Sequence, residues 1–405
     1  MNKPSVPAPT PYRWLVLASF MLVNLLIQIL WISYAPITTD AAQFYRVSEL
    51  AIGLFAMLYM IVYVPLALPV AWIIDRWGFR LSTALGSLLM ALFALIRAAA
   101  GNRYGIALVG TLGLAVAQPF YLNAWTKMPA HWHPQNERAT AVGLITLSNL
   151  LGIALGMVLT PLLLTRFSID RIQWIYALGA LVGALLFVAI AREYPKNAEV
   201  PPAARETKLF LLPGLHHALR SGSFRIFLII VFIGMGLFNG VTTWIEQIVQ
   251  GRGFKATDAG TLGALLLIGG VVGAVVIPAL SDLTGRRKPW MFLSLVASIP
   301  FLLGMTGGRT FFTLALSSFF LGFFLTSVMP IGMQYSVEIT RPTPEGTSNG
   351  LIQLFGQISV VCVFLMQILR DKGGSFTLSL SGFAILLGVC ALLVLFTRES
   401  YPKRG

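Results

Sequence analysis

Two short polar turns in an otherwise apolar chain decide the fold. The first is Asp75-Arg76-Trp77-Gly78-Phe79-Arg80, and the second is Asp282-Leu283-Thr284-Gly285-Arg286-Arg287. Both follow the pattern D-x-x-G-x-R, and their aspartates are 207 positions apart (282 minus 75). One such turn is typical of any loop at a membrane surface, where glycine permits the bend and basic residues set the topology. Two copies at a matching place indicate an internal duplication and an inside gate.

The sequence around these turns has the composition of a membrane protein. Of its 405 residues, 57% are hydrophobic and 11% are charged, whereas about a quarter of a soluble domain is charged. The apolar residues form blocks of about 20, the length of a helix that crosses a bilayer. This excludes a soluble enzyme, a secreted disulfide scaffold and a porin-like barrel. We predict an all-α membrane protein with twelve transmembrane helices, at residues 12–36, 50–74, 82–100, 104–125, 139–164, 173–191, 224–247, 259–280, 289–305, 311–336, 347–369 and 376–396.

A Pro- and charge-rich stretch divides the helices into two sets of six. We predict an N-terminal six-helix bundle at residues 1–191, a cytoplasmic linker at 192–223 and a C-terminal six-helix bundle at 224–405. A second landmark repeats across this division, because Glu137 precedes the fifth span and Glu345 precedes the eleventh, 208 positions later (345 minus 137). Duplicated bundles of this kind are typical of transporters that bind their cargo near mid-membrane.

The net charge of +14 sets topology rather than marking a nucleic-acid-binding protein. If both termini are cytoplasmic, 19 of the 29 Lys and Arg residues fall on the inside, which is the orientation that the positive-inside rule favours. Short loops and the lack of an Asn-x-Ser/Thr sequon suit a bacterial inner membrane. No catalytic constellation, cofactor fingerprint or metal-ligand spacing is visible in the sequence, so we expect neither an enzyme, nor a cofactor, nor a metal site.

Several stretches of both halves resemble the major facilitator superfamily and, within it, the feline leukaemia virus subgroup C receptor family. The doubled turns carry the first resemblance. The second is carried by Tyr12-Arg13-Trp14, by the Tyr-, Pro- and Trp-containing run at 59–72, by Ala117-Gln118, and by the runs at 149–156 and 337–351. The resemblance implies a major facilitator fold and alternating access. It also implies a cargo of choline or a related amine, although haem and pyridoxine-like cargo are attributed to relatives.

Polar and aromatic residues within the spans are the candidates for cargo binding. The Trp31 indole can bind a quaternary ammonium by cation–π attraction, or it can belong to an interfacial aromatic belt. Polar mid-span side chains usually face an interior or a cavity, although they also join helices. The resemblance places Trp31, Gln118 and Gln357 around the cargo, and Gln353 lies one turn from Gln357. Where the family's choline carriers have Phe-Tyr, this chain has Phe238-Asn239, so Phe238 or Trp244 has to supply a second aromatic wall.

The charged residues predict a gate at the inside surface. They give little indication of coupling to an ion. We expect a latch at the inside surface, formed by Asp75, Arg76, Arg80, Asp282, Arg286, Arg287, Glu137, Glu345 and Glu338. No span has an acid at its centre, which favours a uniporter or a carrier driven by the membrane potential. Asp40 and Glu246, near span ends, are the possible coupling residues, and Glu246 is equally consistent with a solvated helix end. Arg97 is expected to reach the headgroups by snorkelling.

These observations predict a transporter of a small organic solute, best described as a choline-like cation. One alternative is a proton-coupled exporter of drugs, metabolites or organic anions. Another is a non-transporting membrane receptor. The partners expected are the small-molecule substrate and the lipid bilayer, with no nucleic acid, and the protein is expected to be a monomer.

Overall fold

The computed structural model describes residues 11–125, 127–134, 137–195, 211–341, 343, 345–370 and 375–399, and the side chains of 138–140, 211–215, 337, 345–347 and 349 are not part of that description. Within these ranges the regular structure is helical, with no β-strand. The helices are α1 Tyr12–Ile32, α2 Thr38–Tyr45, α3 Glu49–Ala98, α4 Tyr104–Leu122, α5 Lys127–Trp132, α6 Arg138–Leu164, α7 Ile169–Ile190, α8 Leu211–Arg220, α9 Gly222–Thr243, α10 Ile245–Gln250, α11 Ala256–Thr284, α12 Lys288–Gly307, α13 Phe311–Ile339, α14 Glu345–Ile358, α15 Val360–Ile368 and α16 Thr377–Leu395. The all-α prediction is confirmed.

The described residues contain eleven helical segments that are long and apolar enough to cross a membrane. One of them, α3, has 50 residues and would be about 75 Å long if it were straight, whereas the hydrocarbon core is about 30 Å thick. The helix is broken at Gly78, whose φ of 82° and ψ of 169° are not helical. α3 therefore makes two crossings, and the described chain makes the predicted twelve.

Both D-x-x-G-x-R turns depend on their glycine. Gly78 has a φ of 82°, and Gly285, which ends α11, has a φ of 64°. A residue with a Cβ atom rarely adopts such a conformation, while glycine adopts it at little cost. Glycine at these two positions is therefore required by the backbone and accounts for the shared spacing of the two turns.

The chain divides into two compact units, unit 1 at Met1–Ala203 and unit 2 at Ala204–Gly405. The division falls inside the predicted connector at residues 192–223. Large apolar side chains lie on the outside of each unit, for example Leu68 in unit 1 and Val275 and Ile385 in unit 2. An apolar exterior of this extent is what a lipid-facing surface requires.

Three of the predicted spans differ from the helices in detail. The first helix ends at Ile32 rather than Pro36, and a 3-10 turn at Ala35–Ile37 follows, because Pro36 has no N–H with which to continue the helix. The seventh span is divided into α9 and α10 at Trp244, and the eleventh into α14 and α15 at Ser359. Apolar composition predicts a crossing but does not reveal these breaks.

Glycines bring particular helices into backbone contact. In unit 1 a Cβ on Gly152 of α6 would press against the carbonyl oxygen of Leu25 in α1, and one on Gly156 would meet Ile29 and Ile32 of the same helix. Small residues at a spacing of four, here Ser148, Gly152 and Gly156, permit two helices to approach closely. In unit 2, Gly269 and Gly273 of α11 lie against carbonyl oxygens of α13.

Candidate functional site

Trp31 is held at the end of α1 by a bond to a neighbouring helix. Its Nε1–H donates to the carbonyl oxygen of Ala56 in α3 at 3.0 Å, and the side chain is 8% exposed. The bond occupies the only polar atom of the indole, so any further ligand would meet the ring's carbon face.

A set of amides lies buried around α1, α4 and α6 in unit 1. Gln28 Nε2 donates to Asn149 Oδ1, but Gln28 Oε1 and Asn149 Nδ2 have no partner among the described residues. Gln118 is 5% exposed, and its Oε1 also lacks a partner there. Buried amide atoms are normally hydrogen-bonded, so these atoms are available to a ligand or a water molecule.

The pair formed by Gln28 and Asn149 was not predicted as part of a site. The signal was present, because Asn24 and Gln28 are one turn apart on the first span and Asn149 is on the fifth. Amides at a spacing of four share one face of a helix. What the sequence did not reveal is that α6 approaches α1 at glycines, which brings Asn149 within reach of Gln28.

The candidates in unit 2 have two different environments. Phe238 and Asn239 are buried on α9, and Gln353 and Gln357 are half-buried one turn apart on α14. Trp244, by contrast, is fully buried, donates its Nε1–H to the carbonyl oxygen of Val363 at 2.9 Å and stacks on Phe376. Trp244 therefore belongs to the packing of its own unit, which leaves Phe238 as the aromatic candidate.

The residues of the first D-x-x-G-x-R turn make separate contacts within unit 1. Asp75 forms an ion pair with Lys127 of α5 rather than with an arginine of its own turn. The Arg76 guanidinium lies 5.3 Å from the ring centroid of Trp72, and the backbone N–H of Arg80 donates to Glu193 at 2.8 Å. In this turn the aspartate is therefore bound to a neighbouring helix of its own unit and forms no ion pair with Arg76 or Arg80 among the described residues.

The second turn forms a cluster centred on Arg287 in unit 2. The guanidinium forms ion pairs with Asp282 and with Glu338, the latter at 3.3 Å. Burial alone would lower the pKa of Arg287, but hydrogen bonds to the two carboxylates outweigh it and raise that pKa. The side chain of Glu345 lies outside the described residues, and for Arg286 the structure gives only a backbone contact, in which its carbonyl oxygen accepts from Ser281. In this turn, unlike the first, the aspartate pairs with an arginine of its own turn.

Two glutamates that sequence reasoning missed cap the helices that follow the turns. Glu193 Oε1 accepts from the N–H of Phe79 at 3.0 Å, and Glu193 Oε2 accepts from that of Arg80. In unit 2 Glu399 Oε1 accepts from the N–H groups of Arg287 at 2.9 Å and of Lys288 at 3.2 Å. The signal was the repeated Arg-Glu at 192–193 and 398–399, 206 positions apart (399 minus 193).

Glu193 also contacts a histidine. His131 Nδ1 lies 3.1 Å from Glu193 Oε1, and its ring stacks on Tyr194 at 4.6 Å. Burial raises the pKa of Glu193, but hydrogen bonds from His131 and from the backbone N–H groups of Arg80 and Phe79 lower it by more, so the pKa lies below its usual value. Glu137, another predicted gate residue, pairs with Arg13 at 3.0 Å.

Burial overturns the expectation for Arg97 and decides between the two alternatives for Glu246. Arg97 does not snorkel to the headgroups, because it is 1% exposed and donates to the carbonyl oxygen of Leu30 at 3.0 Å. Its charge therefore lies beside the C-terminal end of α1, where the helix dipole favours a cation. Glu246 is 4% exposed and is not a solvated helix end, whereas Asp40 is exposed.

The family model of the Major Facilitator Superfamily matches residues 16–299 and 248–405. The chain belongs to the major facilitator superfamily. This makes it an integral, multi-pass membrane transporter, of a family that is not an enzyme family.

Solved structures agree with this major facilitator fold. The chain is similar to a bacterial homologue of the human lysosomal transporter Spinster, with a TM-score of 0.77 and 14% identity, covering 96% of this chain and 97% of that one. It is also similar to the nucleoside transporter NupG, with a TM-score of 0.73 and 16% identity, covering 94% and 99%. At these identities the likeness concerns the fold alone.

Curated relatives support the narrower resemblance. The human choline/ethanolamine transporter FLVCR2 is 29% identical over 88% of this major facilitator chain and 71% of its own. Solute carrier family 49 member A3 of Xenopus tropicalis is 29% identical over 88% of this chain and 77% of its own length. An uncharacterized MFS-type transporter of Caenorhabditis elegans, C09D4.1, is 28% identical over 97% of this chain and 70% of its own length. These three relatives are animal proteins.

Proposed function

We propose that this transporter carries a small amino alcohol or a related organic cation, choline-like in its chemistry, by alternating access. Two lines of support agree. The relatives that cover most of the chain include choline/ethanolamine transporters. Trp31 and the buried amides supply groups that suit such a cargo.

The geometry of Trp31 is the observation that carries the proposal. Because its N–H is bonded to Ala56 across two helices, the indole is fixed and its remaining surface is its π-face. A cation over a desolvated indole gains about 2 kcal/mol. An indole that is fixed before binding loses little entropy when the cargo arrives.

The amides would recognise the polar end of the cargo. Gln118 Oε1, which has no partner among the described residues, can accept a hydrogen bond from a hydroxyl or an ammonium N–H. In unit 2 we assign the same role to Asn239 and Gln357. Because Asn239 stands where the family's choline carriers have tyrosine, the site favours a cargo with a donor group over one that relies on two aromatic walls.

The charge of the cargo indicates the energy source, and the charges of the chain indicate its orientation in the membrane. A monovalent cation moving into a compartment that is negative by 100 mV gains about 2.3 kcal/mol, so the membrane potential is sufficient for uptake. We propose that both termini face the cytoplasm, as the excess of basic residues on that side predicts. Location in a bacterial inner membrane remains an expectation from the sequence.

One observation favours a second function, proton-coupled export. Glu246 is 4% exposed, and a buried carboxyl can exchange a proton as its surroundings change. In that case transport would follow a pH gradient, and Glu246→Gln would abolish the dependence on pH while retaining the cargo site.

Flux into proteoliposomes tests both functions. Radiolabelled choline and ethanolamine are each offered to vesicles that contain the purified protein, with an inside-negative potential or with a pH gradient. We expect saturable uptake that rises with the potential, falls at least tenfold in Trp31→Ala and falls less in Trp31→Phe, which keeps a ring. Trp174→Ala is the matched control, because that tryptophan is in the same unit and is 42% exposed. Uptake that follows the pH gradient alone would favour the second function.

A further inference from the structure

A large cavity opens in unit 2 at the end where α9 begins and α13 and α16 end. Its volume is about 1210 Å³, and its lining comes from α8, α9, α13 and the segment after α16. None of the proposed cargo residues lines it. Its charged lining residues are Arg220, Arg341, Arg398, Glu338 and Glu399, and His217 adds an imidazole.

Both carboxylates of the cavity are already engaged by other groups. Glu338 pairs with Arg287 at 3.3 Å and accepts from Gln334 Nε2 at 3.1 Å. Glu399 Oε1 accepts from the backbone N–H groups of Arg287 and Lys288. These carboxylate oxygens are thus directed toward the turn between α11 and α12, where Arg287 and backbone N–H groups hydrogen-bond them.

The three arginines of the cavity have a different environment from the two carboxylates. The side chains of Arg220, Arg341 and Arg398 are exposed, and none of them forms an ion pair within the described part of the chain. The backbone of Arg398 is nevertheless held on both sides, because its N–H donates to Ser223 Oγ at 3.0 Å and its carbonyl oxygen accepts from Tyr335. The cavity therefore has three arginines without an ion pair among the described residues, and the backbone of one of them, Arg398, is fixed by hydrogen bonds.

A helix end and an apolar wall complete the surroundings. Residues Ser221, Gly222 and Ser223 at the start of the 22-residue α9 line the cavity, and the N-terminus of a helix adds a positive partial charge. Ile226, Ile339 and Phe396 supply apolar surface beside the arginines. Phe396 follows the end of α16 and is 76% exposed, so part of this apolar surface is open.

We propose that this cavity is a binding site for a phosphate group, carried by an organic molecule whose apolar part lies against Phe396. Guanidinium groups bind phosphate through paired, charge-assisted hydrogen bonds, and helix N-termini favour the same anion. A phosphomonoester dianion matches three arginines better than a single carboxylate does. The phosphate belongs either to a lipid headgroup or to a soluble phosphoester, and this site is separate from the proposed cargo residues.

Binding to the full-length, detergent-purified protein tests the proposal. Inorganic phosphate and dihexanoyl phosphatidic acid are titrated separately, and the dissociation constants are measured by calorimetry. We expect one saturable site for phosphatidic acid. Arg341→Gln and Arg398→Gln should each lower the affinity for phosphatidic acid about tenfold, as expected for the loss of a charge-assisted hydrogen bond. Arg225→Gln is the matched control, because Arg225 is exposed in the first turn of α9 but does not line the cavity.

The outcomes separate the two sources of phosphate and refute the proposal if it is wrong. Binding of both probes would show that the phosphate group suffices, which admits a soluble phosphoester, and binding of phosphatidic acid alone would identify a lipid headgroup. Absence of binding by either probe would overturn the proposal, as would an equal loss of affinity in Arg225→Gln. The midpoints of thermal unfolding without ligand should agree among all variants, since the substituted side chains are exposed.

Discussion

Replacing Glu193 by glutamine should destabilise the protein more than replacing Glu399 by glutamine. Both glutamates cap a helix, but they use their oxygens differently. Glu193 accepts one N–H with each oxygen, whereas Glu399 accepts both N–H groups with Oε1. A glutamine has one amide oxygen. It can therefore keep only one of the two bonds at position 193 and can keep both at position 399.

The expected magnitudes follow from this count of bonds. At position 193 the substitution removes one charge-assisted bond, worth about 1.5 kcal/mol, and weakens the contact with partly exposed His131, worth well under 1 kcal/mol. At position 399 it removes only the charge at a helix N-terminus, worth about 0.5 kcal/mol. For a unit of this size 1 kcal/mol corresponds to about 2–4 °C. The unfolding midpoint should fall by about 3–6 °C for Glu193→Gln and by about 1–2 °C for Glu399→Gln.

Thermal unfolding of the purified protein in one detergent at pH 7 measures both values. Glu193→Ala and Glu399→Ala provide the matched comparison, because alanine removes every side-chain acceptor. The two alanine variants should have similar midpoints, each below that of its glutamine variant. Equal midpoints for the two glutamine variants, or a lower one for Glu399→Gln, would refute the assignment of the oxygens.

Three further predictions concern pH, packing and exposure. The lowered pKa of Glu193 means that its stabilisation is complete above the ordinary carboxyl pKa and is lost as pH falls through the lowered value, so the midpoints of wild type and Glu193→Gln should converge below about pH 4. Gly152→Ala should cost about 1–3 kcal/mol, because its Cβ would press on a carbonyl oxygen of α1, whereas Gly179→Ala, whose Cβ would make only an ordinary contact, should not lower the unfolding midpoint. A membrane-impermeant maleimide should label Arg97→Cys far more slowly than Arg103→Cys, and equal rates would mean that residue 97 is exposed.

The larger features of the fold were predictable because they depend on composition and spacing. Apolar blocks of about 20 residues predict the crossings, and the two D-x-x-G-x-R turns predict that Gly78 and Gly285 bend the chain. Small residues at fours on the fifth span likewise indicate a close helix contact at Gly152, although they do not identify α1 as the partner. Each of these features is determined within one segment, where the period and the backbone requirement are visible in the sequence.

The features that were missed depend on contacts between segments distant in sequence. The position of Arg97 depends on how the end of α1 lies beside α3, which no local pattern specifies. Glu193 caps a helix that begins 114 positions earlier, and Asp75 pairs with Lys127 instead of with Arg76 or Arg80. Comparing the two halves residue by residue would have found the glutamate caps, since Arg-Glu recurs near the offset of the turns.

The most direct test of the account is the uptake of choline and ethanolamine by Trp31→Ala in proteoliposomes, beside Trp174→Ala. We predict saturable, potential-dependent uptake by wild type and by Trp174→Ala, and at least a tenfold loss in Trp31→Ala, which corresponds to about 1.4 kcal/mol of cation–π attraction. Uptake of either cation that is unchanged in Trp31→Ala would contradict the assignment of Trp31 to the cargo. No uptake of either cation by folded wild-type protein would contradict the proposed substrate class.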